Sequence, residues 1–230
     1  MPATDIGTVL VTGGASGLGR AVADAVRKAG GTPVVLDIAE PPGGLEWHRV
    51  DLADARATER AVAQVIADHG GLDAVVTAAG IDACGDLADV PATDWERVIA
   101  VNLVGTAAVV RAALASLEQR QGRVVAVAST LGVRALPAAT AYAASKFGVV
   151  GFTRALAAEM AGRVGVTLLL PGGMRTAFFD GRPEQFKPAA DQQLNDPEDV
   201  AEAVLFALRQ PAGCEVRELL IAPSSEPSWP

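Results

Sequence analysis

Along the chain, short apolar runs alternate with longer stretches in which apolar residues return every three or four positions. The run "TVLVTGG" reads as a first strand. It is followed by "GRAVADAVRKAG", a helix with apolar positions at 21, 22, 25, 26 and 29 that stops at Gly30 and Gly31. "TPVVLD" supplies a second strand, and "EWHRVDL", "DAVVTAAG", "RVVAVAS", "VGVTLLLPG" and "EVRELLIAP" are further strand candidates. Helices are predicted near 53–69, 94–118, 141–161 and 197–209. This alternation predicts repeated βαβ units around a parallel sheet. "EPPGG" at 40–44 and residues 178–195 read as surface loops, and "PSSEPSWP" as a polar tail. No linker, tandem repeat or low-complexity segment divides the series.

Composition narrows what such a chain does. With 230 residues, half of them hydrophobic, it can form one large domain over 1–230 with a substantial core. A net charge of −8 without a basic cluster leaves no electrostatic footprint for nucleic acid and little attraction to anionic membranes. Cys84 and Cys214 lie far apart, and His48 and His69 stand in no Cys/His cluster, so neither a zinc site nor a disulfide framework is expected. No signal-like segment opens the chain and no apolar run reaches ~18 residues. A cytoplasmic protein acting on small molecules is expected, without metal, membrane or nucleic-acid partner.

The glycine-rich "TGGASGLG" places Gly13, Gly17 and Gly19 between a predicted strand and a predicted helix. Glycine there permits a tight turn, close backbone approach to a pyrophosphate and tight helix contact, and the helix N-terminus offers N–H groups to phosphate. Asp37 ends the second strand, where an acid accepts hydrogen bonds from adenosine ribose hydroxyls. Gly13, Asp37, Asp51, Gly80, Ser129 and Gly172 all fall at or just past the end of an apolar run. Open α/β sheets bind ligands at that edge.

The only tyrosine, Tyr142 in "TAYAASKFG", stands four residues before Lys146. On a helix these positions share one face, about 5–6 Å apart at Cβ. Ser129 precedes Tyr142 by thirteen residues, so a strand-end hydroxyl can meet the phenol at the start of the next helix.

The Tyr142–Lys146 and Ser129–Tyr142 spacings, Asn102 in "VNLVG" and the glycine pattern occur together and in order. From "TGGASGLG" to "PGGMRT" the chain resembles the short-chain dehydrogenase/reductase family. The resemblance implies a Rossmann-like, doubly wound three-layer αβα sandwich with a mainly parallel seven-stranded sheet. It also implies an oxidoreductase that moves a hydride between NAD and a secondary alcohol or ketone. Hydride transfer needs a general acid/base on the substrate oxygen, and Tyr142 fills that role. An ordinary phenol titrates near 10, and Lys146 with the bound nicotinamide is expected to lower it. By the same resemblance Lys146 would also bind the nicotinamide ribose, Ser129 would hold the substrate oxygen, and Asn102 would hold a water that links Lys146 to solvent. Around the cofactor the resemblance implies Gly13, Ser16, Gly17, Leu18 and Gly19 in the turn, and Asp37 at the ribose. Asp51 and Leu52 would lie by the adenine, and Ala79 and Gly80 after the fourth strand. Pro171 and Gly172 would also line the cofactor, and Thr176 would contact the nicotinamide carboxamide. Asp51 also reads as a loop acid, and Thr176 as a helix cap.

Asp37 beside the ribose 2′ position, with no cation at Ser16 or Ile38, favours NAD over its 2′-phosphorylated form. Departures from the family pattern are Ala78 in place of an Asn, which removes a structural hydrogen bond, and "APSSEPSWP" at the C-terminus. The substrate lid, 177–196, has room for one brief helix. Arg134, Asp82 and Asp86 are the polar candidates near the substrate. Val109, Val110, Ala113, Val149, Val150 and Phe152 exceed one core-facing stripe, and predict a homodimer or homotetramer. The alternatives are a 3-oxoacyl-carrier reductase of the same family or a retired NAD-binding regulator.

Overall fold

The computed structural model describes residues 6–226, so residues 227–230 of the polar tail lie outside it. The described residues form seven strands: β1 (Thr8–Thr12), β2 (Thr32–Asp37), β3 (Glu46–Arg49), β4 (Ala74–Thr77), β5 (Arg123–Val127), β6 (Gly165–Pro171) and β7 (Glu218–Ile221). They form one sheet in the order β3-β2-β1-β4-β5-β6-β7, and every pairing is parallel. Six α-helices provide the crossovers: α1 (Gly17–Lys28), α2 (Ala55–His69), α3 (Ala92–Ile99), α4 (Thr106–Arg120), α5 (Thr140–Glu159) and α6 (Pro197–Leu208). Side chains alternate across each strand. Val9 and Val11 of β1 therefore join α1 and α6 in one core, while Leu10 between them joins α2, α4 and α5 in the other. Coverage of both faces is why the strands read as unbroken apolar runs.

Local signals set the helix ends. Asp54 caps α2 by accepting hydrogen bonds from the Arg56 and Ala57 N–H groups at 3.0 and 2.9 Å, and Gly70 ends the helix in the left-handed conformation. Helix α6 starts with Pro197 at its first position and Glu198 and Asp199 in its first turn, which suits the positive end of the helix dipole.

The helix expected over 94–118 runs continuously from Ala92 to Arg120, but its middle, Ala100–Gly105, is a π-helical turn. The single helical period assumed across Asn102 therefore fails locally. At 29 residues the whole helix is long and apolar enough to cross a membrane by length and composition, contrary to the expectation of no such run. Its Val109, Val110, Ala113 and Leu117 instead fill the core beneath the sheet.

Two further expectations are corrected. Val109, Val110, Ala113, Val149 and Val150 are all buried, so they report the core and not an oligomer surface; the exposed large apolar residues of this region are Val104 and Phe147. The lid contains two short 3-10 turns, Ala177–Phe179 and Glu184–Phe186, where one brief helix was expected. Proline at 183 and glycine at 181 interrupt any longer run.

Candidate active site

The chain winds from β1 to β2 and β3 on one side and returns to place β4 on the other, so the loops after β1 and β4 part at the middle of the carboxyl edge. A cavity of 620 Å³ opens there and runs from the glycine turn to the lid. All the strand-end residues singled out from sequence, Gly13, Asp37, Asp51, Gly80, Ser129 and Gly172, line it.

At one end the backbone forms the wall. Gly13 takes φ +73°, and a Cβ on it would lie 2.7 Å from the Ala79 Cα. A Cβ on Gly19 would run into the Gly13 carbonyl oxygen. Only glycine lets these segments meet. Ser16 precedes α1 without a side-chain cap, and no acid stands in the first turn, so the helix presents uncapped N–H groups beside the cavity. That donor set fits a pyrophosphate, which Gly17, Leu18 and Gly19 would hold. Asp37 braces the turn, accepting from Ala15 N at 2.9 Å and Ala39 N at 3.0 Å. Asp51 accepts from Ala53 N at 3.0 Å and Arg97 Nη2 at 2.9 Å; the backbone bond first, then the guanidinium, hold its carboxyl below the usual range. Leu52, Ala79 and Pro171 line the same wall. Thr176 accepts from Phe178 N at 3.3 Å, capping the first lid turn, and also lies against Gly17. The cap reading of Thr176 is met.

At the other end three polar side chains converge. Ser129 accepts from Leu131 N at 3.1 Å and hydrogen-bonds the Tyr142 phenol. Lys146, buried to 4% exposure, donates to the Val127 carbonyl at 2.8 Å, and its Nζ lies 5.6 Å from the centre of the Tyr142 ring. Asn102, turned inward by the π-helical turn, accepts from Ile81 N and donates to Ile81 O, both at 2.9 Å, and donates to Ser145 Oγ at 3.0 Å. The amide thus clamps the loop after β4. A Cβ on Gly80 would stand 3.7 Å from both Asn102 Oδ1 and Lys146 Nζ, so that loop lies directly over the two.

The electrostatics differ from the expectation that Lys146 lowers the phenol. Burial pushes Tyr142 up to about 12, with the Ser129 hydrogen bond opposing it, the Asp82 charge adding to it and the Arg182 charge reducing it. Burial pulls Lys146 down to about 8. Desolvation disfavours the charged form of each. The protein by itself therefore holds Tyr142 as a neutral phenol.

Where the Ala78 change removes an amide, the Ala79 N–H is met by Thr12 Oγ1 at 3.1 Å, while Thr77 Oγ1 is buried without a partner among the described residues. Sequence reasoning missed two residues here. Arg182 from the lid pairs with Asp82 at 2.7 Å, and Glu226 accepts from Gly173 N at 2.8 Å beside Gly172. A cation in "FFDGR" was the available signal for the first. The second depends on the C-terminal segment folding back after β7, which no local pattern announces.

This fold and cavity define a doubly wound α/β oxidoreductase, with a mononucleotide turn at one end and a Ser–Tyr–Lys cluster at the other. The chain belongs to the short-chain dehydrogenase family, whose model matches residues 7–186. Members of this family bind a nicotinamide cofactor. The chain is 32% identical over 216 residues to a 3-oxoacyl-[acyl-carrier-protein] reductase of Thermotoga maritima, covering 86% of this chain and 88% of that one. It is 33% identical over 221 residues to a D-beta-hydroxybutyrate dehydrogenase of Cupriavidus necator, covering 90% and 84%. The fold is also that of an alcohol dehydrogenase from Thermococcus sibiricus complexed with 5-hydroxy-NADP. That match has a TM-score of 0.82 and 24% identity over 93% of this chain and 94% of that one.

Proposed function

We propose that this protein transfers a hydride between NAD and a secondary alcohol or ketone, with Tyr142 as the general acid/base. The observation that carries this reading is the convergence of Ser129, Tyr142 and Lys146 at the far end of a cavity whose near end is the glycine turn. A bound nicotinamide supplies the hydride acceptor or donor. The chain's own residues manage the proton and the geometry. Ser129 Oγ takes its fixed bond from Leu131 N, which leaves its hydrogen for the substrate oxygen or the phenol. Tyr142 Oη gives its proton to a forming alkoxide in reduction and takes the hydroxyl proton in oxidation. The neutral phenol favoured by burial suits the first direction, and the Lys146 ammonium on the same helix face favours the phenolate needed for the second.

Asp37 supports NAD. Its carboxylate lines the cavity beside the turn, and Ile38 after it is exposed and uncharged. Two unit charges ~4 Å apart repel by about 1 kcal/mol in water and ~4 at an effective dielectric of 20, so a 2′-phosphate should lose roughly one to three orders of magnitude. The cytoplasm is the proposed location. Turnover of a panel of secondary alcohols and ketones, followed at the nicotinamide absorbance with each cofactor, tests the reading. Tyr142→Phe should cut kcat by ~10²–10⁴-fold and leave cofactor affinity largely intact. Near-wild-type turnover in that variant would sink the mechanism, and equal kcat/KM for the two cofactors would sink the assignment of Asp37. A carrier-bound 3-oxoacyl substrate is the second reading, favoured by the similarity to the Thermotoga maritima reductase.

A further inference from the structure

We propose that Arg182 selects the substrate, and that the alcohol or ketone handled here carries a carboxylate a short distance from its reacting carbon. This inference rests on the hydride-transfer reading above and adds the substrate class to it. Arg182 rises from the lid into the catalytic end of the cavity, with its guanidinium carbon 4.8 Å from the Phe178 ring centre and 4.7 Å from that of Phe179. Phe178 in turn lies 5.5 Å, centre to centre, from Tyr142. One aromatic ring therefore separates the cation from the catalytic phenol, and that ring holds the cation in place. The proximity is also felt electrostatically, because the Arg182 and Asp82 charges both act on the phenol.

Arg182 is only 16% exposed and Asp82 only 8%. Taking such a pair out of water costs more than a surface pair returns, so a bare lid latch is a poor use of it. The hydrogen-bond inventory shows which side of the pair has capacity left. The Asp82 carboxylate already receives Ala83 N at 2.7 Å, Cys84 Sγ at 3.1 Å and Arg182 Nη2 at 2.7 Å. Arg182 spends one Nη1 donor on the Phe186 carbonyl at 3.4 Å, a long bond, and its buried Nε–H has no partner among the described residues. Of the two partners lining the cavity, Arg182 keeps donor capacity while the Asp82 carboxylate is fully engaged. A carboxylate is the acceptor that matches a guanidinium edge in both shape and charge. The other lid cation lining the cavity, Lys187, is engaged by Glu184 at 2.9 Å. A hydroxy acid seated with its carboxylate on Arg182 would have its hydroxyl directed past Phe178 toward Ser129 and Tyr142.

Calorimetric titration of 3-hydroxybutanoate, 4-hydroxypentanoate and their primary amides into NADH-saturated protein tests this without turnover. At least one acid should bind ~10- to 100-fold more tightly than its amide, the range expected of a charge-assisted pair. Arg182→Gln should bring that ratio to about one, and Arg182→Lys should keep several-fold of it. Acid and amide binding alike in the wild type, neither binding at millimolar concentration, or a ratio untouched by Arg182→Gln would each overturn the assignment. The hydride-transfer reading fails by different results, namely no binding of NADH or undiminished turnover in Tyr142→Phe. Turnover of neutral ketones together with equal acid and amide binding would sink the carboxylate alone.

Discussion

Lys146 sits at 4% exposure, and burial lowers its amine from the ordinary 10.5 to about 8. Between those values the unfolded chain holds a proton that the folded chain has lost, so stability rises with pH through that window; below about 8 the folded state bears a buried charge. Lys146→Met should therefore raise the stability of the cofactor-free protein at pH 7 while abolishing turnover. Allowing for the lost bond to the Val127 carbonyl, a gain of roughly 2 kcal/mol, or about 4–8 °C in Tm, is expected. The gain should shrink as the pH approaches 10.5. Thermal denaturation of both proteins across pH 6–10 measures it, and a variant less stable than wild type at pH 7 would contradict it. Tyr142 and Lys146 were legible as a pair because helical spacing alone puts them on one face. That burial would dominate at the phenol was not legible, since the dielectric around a group depends on what the rest of the chain covers.

The glycine turn between β1 and α1 is a backbone device, and its test is a single methyl group. Gly19→Ala forces a Cβ against the Gly13 carbonyl oxygen, so α1 must move off the end of β1. Overpacking of this kind costs about 1–3 kcal/mol. Because the shifted atoms are the turn itself, cofactor affinity should fall by at least ~10-fold while far-ultraviolet circular dichroism stays native. Unchanged affinity by fluorescence titration would show that the turn does not hold the pyrophosphate. The strands, α1, α2, α5 and α6 follow the apolar pattern to within a few residues, since each buries a face with a fixed period. The π-helical turn at Ala100–Gly105 escapes that reading because its period is neither 3.6 nor 2. It is also what aims Asn102 at Ile81, so the residue was recognised and its duty as a clamp was not.

For the whole molecule, oligomer contacts must be sought on what the core leaves uncovered. Val104 and Phe147, 44% and 46% exposed, flank the place where Leu103 meets Gly148, where the π-helical turn crosses α5. Phe206 on α6, 56% exposed, lies apart from them. Two large apolar side chains exposed on adjoining helices favour a two-fold contact between copies. Light scattering at micromolar concentration should give a dimer or tetramer, and Phe147→Glu should lower the assembly state. A wild-type monomer would refute the proposal.

By itself the sequence determined a parallel sheet of βαβ units and the set of strand-end residues, because alternation of apolar runs and helical periods leaves few ways to cover both faces of a sheet. It also singled out Ser129, Tyr142 and Lys146 as one cluster, since all three follow from spacing along one strand end and one helix. Only the tertiary structure decided which apolar residues are core, as Val109 and Val149 show, because several helical faces look alike until the sheet claims one. It alone brought Arg182 to Asp82, a hundred residues apart, and Glu226 to Gly173. Contacts between segments so distant depend on how loops close over the sheet edge. Loop closure is governed by the path of the whole chain and carries no period that a local pattern can reveal.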